Sequence, residues 1–567
     1  MPTRTFVPAQ LNTSNFASIA PLFTALESRP LATRAELERW LLDCSELGAV
    51  LSEEGARRYI NMTCHTDDSA AEKAYVQWVE DIQPKCKSHW QKLDEKFLAS
   101  AARGQLAQDR YGVFDRNTAN DVALFRQENI PLQTEEAKLD QQYNKIAGGM
   151  MIFFDGKERT PNQLSRYLEE QNRTQRQAAW EALGTARYQH RDAFDDLYDK
   201  QIALRDRMAR NAGLPSYVEY AFRMYRRFDY TPQDCKTFHT AVQQSCVPVV
   251  KAQLERRRQR MNLDKLRPWD TAVDPLNRPP LRPFETVDQL VTGTRKVLAH
   301  VAPEFGDALQ KMYEDKLLDL DSRKGKAPGG YQSTLDEIRR PFIFMNSAGM
   351  DNDVKILLHE MGHALHAMAS ADDPILMYRS APIEFCEVAS MGMELVAADG
   401  LKEFYTPQEQ ARAFRTHLES IIALLPWIAQ IDAFQHWIYT HVGHTHKERN
   451  DAWLEIDGRL ANGHGMVDST GYESLRQVGW QRQRHLWGNP FYYIEYGIAQ
   501  LGALQLWANY RKDAKAAIAA YKRALALGGS RPLPELFAAA GIRFDFSAAT
   551  LAPLMKLVHE ELERLPE

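Results

Sequence analysis

Apolar residues recur at helical spacing along most of the chain. In the segment 31–48 they repeat every three to four positions, the period of a helix with one buried face. Thr33 and Glu36 have the spacing of a capping box at the start of this helix, and Gly48 is expected to end it. The segment 160–213 opens with Thr-Pro, contains few helix breakers and predicts two or more long helices. The pattern therefore predicts a mainly α-helical fold.

Two short segments show strand patterns instead. Residues 150–160 place Asp155-Gly156 between an apolar and a polar run, which predicts a hairpin. Residues 339–346, RRPFIFMN, predict a strand, and the preceding glycine pair predicts a turn and another strand. We expect RRPFIFMN to be either an edge strand that pairs with a bound peptide or a buried structural strand. In both cases a small sheet precedes the apolar helix that follows.

The length of 567 residues allows two or three domains. We predict a boundary near residue 200, with lobes at 1–200 and 201–567. The proline-rich segment 267–286 is expected to be either a linker or a loop packed on the surface.

Composition narrows the class of protein. Lys and Arg number 70 against 75 Asp and Glu, a net charge of -5, which argues against a nucleic-acid-binding surface. The six cysteines include no C-x-x-C pair, which favours a reducing compartment. No uncharged apolar run reaches the ~18 residues of a membrane-spanning helix, and the N-terminus lacks a signal-peptide pattern. We therefore expect a soluble cytoplasmic protein.

The stretch LLHEMGHALHAMA contains the pattern H-E-x-x-H at His359, Glu360 and His363. On a helix the two histidines lie one turn apart and can bind one ion. Glu360 projects beside them, where its carboxylate can accept a proton from metal-bound water. A zinc site is predicted here because two histidines and a glutamate would be costly to bury without partners. His366 is one turn further along, too far for the same ion, and is expected to be a core or outer histidine.

A tetrahedral catalytic zinc needs one more protein ligand. The segment APIEFCEVASMGMELVAADG predicts a second helix, with Glu384, Glu387 and Glu394 among apolar residues. Glu387 and Glu394 share a face, and Glu384 lies to one side. Spacing alone leaves the choice open. Glu384, nearest the start of the helix, best fits an exposed glutamate.

Several motifs resemble one protein family. HEMGHALH followed by EFCEVAS, and later HLWGNPFYYIEYGIAQLGAL, are similar to the M3 family of zinc oligopeptidases, in its oligoendopeptidase F and Pz-peptidase branch. With PGGYQ and RRPFIFMN the resemblance spans residues 329–504. It implies a helical zincin-like metallopeptidase fold, with two lobes around a deep substrate channel, a small β-sheet next to the active-site helix and a catalytic lobe within 201–567.

The resemblance also implies roles for individual residues. The third zinc ligand would be Glu387, completing a site for one Zn²⁺ per chain with His359 and His363. His485 and the pair Tyr493 and Tyr496 would match the family positions that bind substrate and stabilise the transition state. Either tyrosine can be the oxyanion donor, and we prefer Tyr496 with His485; Tyr493 and the neighbouring Tyr492 are then expected to bind substrate.

The implied reaction is endopeptidase cleavage of short oligopeptides by a zinc-bound water that Glu360 activates. An alternative is a zinc carboxypeptidase-type exopeptidase on a similar helical scaffold. A third possibility, a helical binding protein with structural zinc, is disfavoured because structural zinc sites are usually closed by four protein ligands and have no use for Glu360.

Overall fold

The structure is a computed structural model that describes residues 4–566. Most of this part of the chain is helical, which confirms the predicted class. The helices of the first half are α1 (Phe16–Ser28), α2 (Arg34–Cys64), α3 (Ser69–Gln77), α4 (Gln83–Ala99), α5 (Gln108–Leu124), α6 (Asn129–Gly148), α7 (Pro161–Ser165), α8 (Arg173–Gln189), α9 (Arg191–Asn211), α10 (Tyr217–Met224), α11 (Pro232–Ser245), α12 (Val247–Arg260), α13 (Val287–Val301) and α14 (Pro303–Glu314).

The second half continues in the same way. Its helices are α15 (Asp351–Ser370), α16 (Ile383–Val396), α17 (Pro407–Thr440), α18 (His446–Arg459), α19 (Glu473–Gln477), α20 (Arg484–Gly488), α21 (Ile494–Lys512), α22 (Ala514–Leu525), α23 (Leu533–Ala539) and α24 (Ala548–Arg564). No helix within residues 4–566 is both long and apolar enough to cross a membrane.

Five short strands form two sheets in the described part of the chain. The predicted hairpin is confirmed as β1 (Ile152–Phe154) paired with β2 (Lys157–Arg159). The second sheet contains β3 (Leu318–Asp321), β4 (Tyr331–Leu335) and β5 (Arg340–Ser347) in the order β3-β5-β4. RRPFIFMN is therefore the central strand, and the expectation that it forms a sheet edge is wrong. Both of its sides are paired, parallel with β3 and antiparallel with β4.

Helix α2 begins as predicted but ends later. The Thr33 side chain accepts from the backbone N–H of Glu36, and the Glu36 carboxylate bonds back to Thr33. The helix then passes through Gly48 to Cys64, so the predicted end at Gly48 is wrong. A Cβ at Gly48 would lie 2.8 Å from Leu376 Cδ2, which shows that the glycine permits close packing. A local helix-stop signal could not reveal this distant neighbour.

The loop 267–286 packs on the protein rather than linking two bodies. Trp269 and Phe284 are buried, and the buried Asp270 carboxylate accepts hydrogen bonds from Arg173 and Arg176. This observation decides between the two expectations in favour of a packed loop.

Helices α15, α16 and α21 pack side by side in the large hydrophobic core. Gly362 permits a close approach of α15 to α16, because a Cβ there would lie 2.5 Å from Ser390 Cα and 2.6 Å from the Ala389 carbonyl oxygen. The Tyr521 hydroxyl donates to that same carbonyl oxygen. The H-E-x-x-H segment is thereby held directly against the acidic helix.

Candidate active site

The two histidines of α15 face a carboxylate of α16. Glu387 Oε2 lies 3.4 Å from His359 Nε2 and 3.7 Å from His363 Nε2. One ligand atom from each of the three residues falls within 4.8 Å of the others. Ser390 Oγ donates to Glu387 Oε2 over 2.9 Å. Two imidazole nitrogens and one carboxylate oxygen are a donor set that suits zinc.

The charges at this cluster also suit a cation. Burial lowers the pKa of His359, but the carboxylates of Glu387 and Glu394 outweigh it and raise that pKa to about 10. Glu387 is only 7% exposed, where an unpaired carboxylate would be costly. The residues therefore attract positive charge, and a divalent ion would supply it in place of a proton on His359.

Glu394 orients the His359 ring by binding Nδ1, the ring nitrogen that does not face Glu387. Its Oε1 accepts from His359 Nδ1 over 2.7 Å, and its Oε2 lies 3.1 Å from Nε2 of His417 on α17. With the proton on Nδ1, the lone pair of His359 Nε2 points towards His363 and Glu387. Burial raises the pKa of Glu394, but the bonds to His359 and His417 outweigh it and lower that pKa to about 2. A carboxylate–histidine pair of this kind fixes the tautomer of a metal ligand.

Glu360 lies between the two histidines in the sequence and is 7% exposed. Its carboxylate accepts a hydrogen bond from the backbone of Gln332 on the edge strand β4. Burial raises the pKa of Glu360 to about 7, against the opposing effect of His359. A carboxyl group with a pKa near neutrality can both accept and return a proton.

An aromatic cluster forms around His485. The ring centroid of His485 lies 4.8 Å from that of Tyr493, 6.0 Å from Tyr496 and 6.1 Å from Tyr492. Burial raises the pKa of Tyr496 to about 12, with a further contribution from the Glu387 carboxylate. Burial and the Glu387 carboxylate also raise the pKa of Tyr492, so the cluster lies within electrostatic range of the carboxylate that faces the two histidines.

A chain of hydrogen bonds sets the tautomer of His485. Trp427 Nε1 can only donate, and it contacts Gln483 Oε1 at 3.3 Å. The amide nitrogen of Gln483 therefore faces His485 Nδ1, 2.8 Å away, and donates to it. The remaining proton of neutral His485 then lies on Nε2, where it is available as a hydrogen-bond donor.

The turn before α21 is held in a strained conformation. Phe491 has φ +65°, a region that costs energy for a bulky residue. Its N–H donates to Gln435 Oε1 over 2.5 Å, and its carbonyl accepts from Arg227 over 2.6 Å. These buried contacts fix the position of Tyr492 and the residues that follow it.

A cavity of about 670 Å³ opens beside His363. Its wall includes Thr334 of β4, Arg116 of α5, Arg379 at the end of a short 3₁₀ helix and Arg531 in a loop. The space is therefore bounded by distant parts of the chain, and His363 faces it from one side.

Comparison with known proteins identifies the family. The sequence model described as "Peptidase family M3" matches residues 166–555. The chain belongs to peptidase family M3. The model described as "Peptidase M3 N-terminal domain" matches residues 6–125. The resemblance to the oligoendopeptidase F and Pz-peptidase branch is confirmed.

Individual M3 relatives agree with this assignment. The chain is 23% identical over 300 residues to an oligoendopeptidase F homolog of Mycoplasma pneumoniae, covering 50% of this chain and 48% of that protein. It is 24% identical over 279 residues to oligopeptidase PepF of Bacillus subtilis, covering 48% of this chain and 40% of that protein. The matched region thus spans about half the length of these curated relatives or less.

Solved structures match over nearly the whole chain. A structure of PZ peptidase A with an inhibitor has 27% identity and a TM-score of 0.87, with 99% of each chain covered. Oligoendopeptidase F of Enterococcus faecium has the same fold at 14% identity and a TM-score of 0.65, with 97% of each chain covered. The M3 fold predicted from sequence is therefore confirmed.

Glu384 is the predicted residue whose environment differs most from expectation. It is not exposed: its relative exposure is 2%, Tyr230 donates to its Oε1 over 2.8 Å, and Arg227 Nε lies 3.9 Å from the same oxygen. The interpretation as a surface glutamate is wrong because Arg227 and Tyr230, far away in sequence, bury this end of α16. Glu384 takes part in a buried charge network, whereas Glu387 faces the histidines.

Sequence reasoning missed several residues that contact the site. These are Ser390, His417, Trp427 and Gln483. Ser390 carried a local signal, since it is one turn after Glu387 on the same helix, and Gln483 lies two residues before His485. His417 and Trp427, both on α17, contact residues of other elements.

His366 is buried as a core residue. It is 4% exposed, and its ring packs edge-on against Phe385 at a centroid distance of 5.8 Å. This agrees with the expectation that it does not ligate the same ion as His359.

The first expected outcome concerns Glu394. We expect Glu394→Ala to weaken zinc affinity and activity about 10- to 100-fold without abolishing either, because only an outer hydrogen bond to His359 is lost. Zinc competition with a chromogenic chelator, together with peptide turnover, measures both effects. Glu403→Ala, which removes a carboxylate bound to His300 away from the site, is the matched control. Unchanged zinc affinity in Glu394→Ala would contradict the orienting role.

The second outcome concerns Glu384. We expect Glu384→Ala to lower the free energy of unfolding by about 2–4 kcal/mol, because Tyr230 and Arg227 lose a buried partner. Urea unfolding followed by circular dichroism measures the change. Exposed Glu285 provides the control Glu285→Ala, for which we expect little change. A Glu384→Ala variant as stable as the wild type would contradict this role.

Proposed function

We propose that this protein is a zinc-dependent endopeptidase that cleaves internal bonds of short oligopeptides. The observation that carries the proposal is the convergence of His359 Nε2, His363 Nε2 and Glu387 Oε2 on one point beside the buried carboxylate of Glu360. A structural zinc site would have no use for an additional buried base.

His359, His363 and Glu387 would hold one zinc ion. When bound, zinc supplies Lewis acidity that polarises the scissile carbonyl and lowers the pKa of water. Glu360 accepts the proton of the attacking water and later delivers it to the leaving amine.

The oxyanion of the transition state needs donors aimed at it. His485 supplies its Nε2 proton, since Gln483 donates to Nδ1. In addition to burial, the Glu387 carboxylate raises the pKa of both Tyr496 and Tyr492, whereas the Tyr493 hydroxyl interacts with Trp427 and Gln483. Of the first two, Tyr496 is the preferred phenol donor because it matches the family motif. Tyr493 and Tyr492 then contribute to substrate binding.

Peptide substrates fit the cavity beside His363. Its wall combines polar residues of β4 with several arginines, and a cavity of this kind admits an extended segment more readily than a folded domain. Membership of family M3 supports peptides as the substrate class. A cytoplasmic location, as expected from the sequence, remains part of the proposal.

Peptides with free and amidated C-termini test the reaction. An endopeptidase should cut both forms of a short quenched peptide at the same internal bond, as identified by mass spectrometry. A carboxypeptidase-type enzyme would cut only the form with a free carboxylate. Absence of hydrolysis by the zinc-loaded protein against a panel of short peptides would overturn the proposal.

Tyrosine variants separate the roles in the aromatic cluster. We expect Tyr496→Phe to lower kcat about 10²- to 10³-fold, the usual effect of losing one oxyanion donor. Tyr493→Phe and Tyr492→Phe should act mainly on KM. Steady-state kinetics with the quenched peptide measures both constants. If Tyr493→Phe lost more kcat than Tyr496→Phe, the two roles would be exchanged.

A further inference from the structure

A second group of metal-binding side chains lies between α11 and α17. Cys235 and His239 are one helical turn apart on α11, and Asp432 and His436 are one turn apart on α17. The two helices pack against each other. Cys235 is 2% exposed, Asp432 is fully buried and His436 is 6% exposed. Two pairs at i and i+4 thus face each other across one helix interface.

The potential ligand atoms are close together. One ligand atom each of Cys235, Asp432 and His436 lies within 4.8 Å of the other two. His436 Nε2 is 3.4 Å from Asp432 Oδ2, a separation that two ligands of one ion can have. His239 Nε2 contacts the same Oδ2 at 2.8 Å and supports the carboxylate from outside the group of three.

Two of these atoms have no hydrogen-bond partner in the described part of the chain. They are Asp432 Oδ1 and His436 Nε2, both fully enclosed by protein. His436 Nε2 approaches Asp432 Oδ2 at the 3.4 Å of a long ion pair, whereas His239 contacts the same oxygen at 2.8 Å. Buried polar atoms are nearly always paired, and an unpaired one costs about 1–3 kcal/mol. Because both atoms belong to the same cluster, one ligand placed there could satisfy both.

We propose that Cys235, Asp432 and His436 bind a second zinc ion, through one protein ligand fewer than the usual four of a structural zinc site. A thiolate, an imidazole and a carboxylate are together a donor set that favours zinc over magnesium or calcium. The negative charges of the thiolate and the carboxylate balance the ion, so the complex suits a buried position. Metal binding at this position joins α11 to α17.

The position of this site suggests what it stabilises. The ring of His436 packs against Phe491 at a centroid distance of 5.1 Å, and neighbouring Gln435 accepts the Phe491 N–H. An ion between α11 and α17 would therefore fix the part of α17 that supports the strained turn before Tyr492. It acts on the tyrosine segment without touching the substrate.

Cobalt is the probe that distinguishes this site from the site formed by His359, His363 and Glu387. A thiolate bound to Co²⁺ gives a charge-transfer absorption in the near ultraviolet, and His359, His363 and Glu387 offer no sulfur. We expect this absorption in the full-length protein produced in cobalt-supplemented minimal medium. It should persist in the double variant His359→Ala/His363→Ala and disappear in Cys235→Ser.

Two other thiols provide controls. Cys246 is fully buried at the end of α11 and outside the cluster. Cys386 is adjacent to Glu387, and its Sγ lies 3.4 Å from the Ala381 carbonyl oxygen. Cys246→Ser and Cys386→Ser should keep the absorption. If Cys235→Ser does not fold, Asp432→Asn, which keeps the shape of the side chain, should show a weakened or shifted band.

Counting zinc separates this inference from the proposed function. Mass spectrometric metal analysis should give two zinc ions in the wild type and one in the double histidine variant. The second site is overturned if the wild type contains one zinc ion and the double histidine variant contains none. It is also overturned if the cobalt absorption persists in Cys235→Ser. Both results leave the first site intact. One zinc ion that survives the double variant but is lost in Cys235→Ser supports the second site and contradicts the first.

Discussion

Glu360→Gln is expected to lower kcat/KM for a short peptide by about 10²- to 10⁴-fold, the range of a lost general base, with zinc content unchanged. Glutamine has nearly the same shape as glutamate, but its amide cannot accept the proton of the attacking water. The histidines and Glu387 remain in place, so the metal should stay bound. Turnover of the quenched peptide and metal analysis of the same sample provide the two measurements.

A matched carboxylate-to-amide change controls for charge. Asp372→Asn alters an exposed carboxylate just beyond the end of α15 and should keep normal activity and zinc. Near-normal turnover in Glu360→Gln would rule out the general-base role. Loss of zinc from that variant would instead indicate that Glu360 contributes to metal binding.

Glu387→Ala is expected to lose zinc and activity together. It removes the carboxylate that lies 3.4 and 3.7 Å from the two histidine Nε2 atoms, which leaves two protein ligands for the ion. The loss of zinc affinity should exceed the about 10- to 100-fold expected when an outer partner such as Glu394 is removed. Zinc content after dialysis, together with peptide turnover, measures the effect.

Glu384→Ala is the control on the same helix. Both carboxylates are buried, but Glu384 points to Tyr230 and Arg227. We expect Glu384→Ala to lose stability but keep its zinc once folded. If Glu387→Ala kept its zinc and Glu384→Ala lost it, the two assignments would be exchanged. The third zinc ligand would then be Glu384, one turn earlier on the helix.

Local patterns predicted several elements because their causes lie within a few residues. The capping box at Thr33 and the hairpin at Asp155-Gly156 depend on neighbouring backbone and side chains, and both are present. The predicted end of α2 at Gly48 is wrong. This glycine permits close packing against Leu376, which is far away in the sequence. The position of RRPFIFMN within its sheet depends on the order in which three strands pair. The hydrophobic pattern of one strand does not reveal that order.

The sequence by itself determined the helical class and the pairing of His359 with His363, because helix geometry places residues four apart on one face. The resemblance of its motifs to family M3 was also contained in the sequence. Only the tertiary structure decided that α16 turns Glu387 to the histidines and buries Glu384 against Arg227, and that α11 and α17 bring Cys235 to His436. These outcomes depend on which helices pack together and on how closely they pack, as α15 and α16 do at Gly362. Such long-range contacts are set by the packing of the whole core rather than by residues that are neighbours in the sequence.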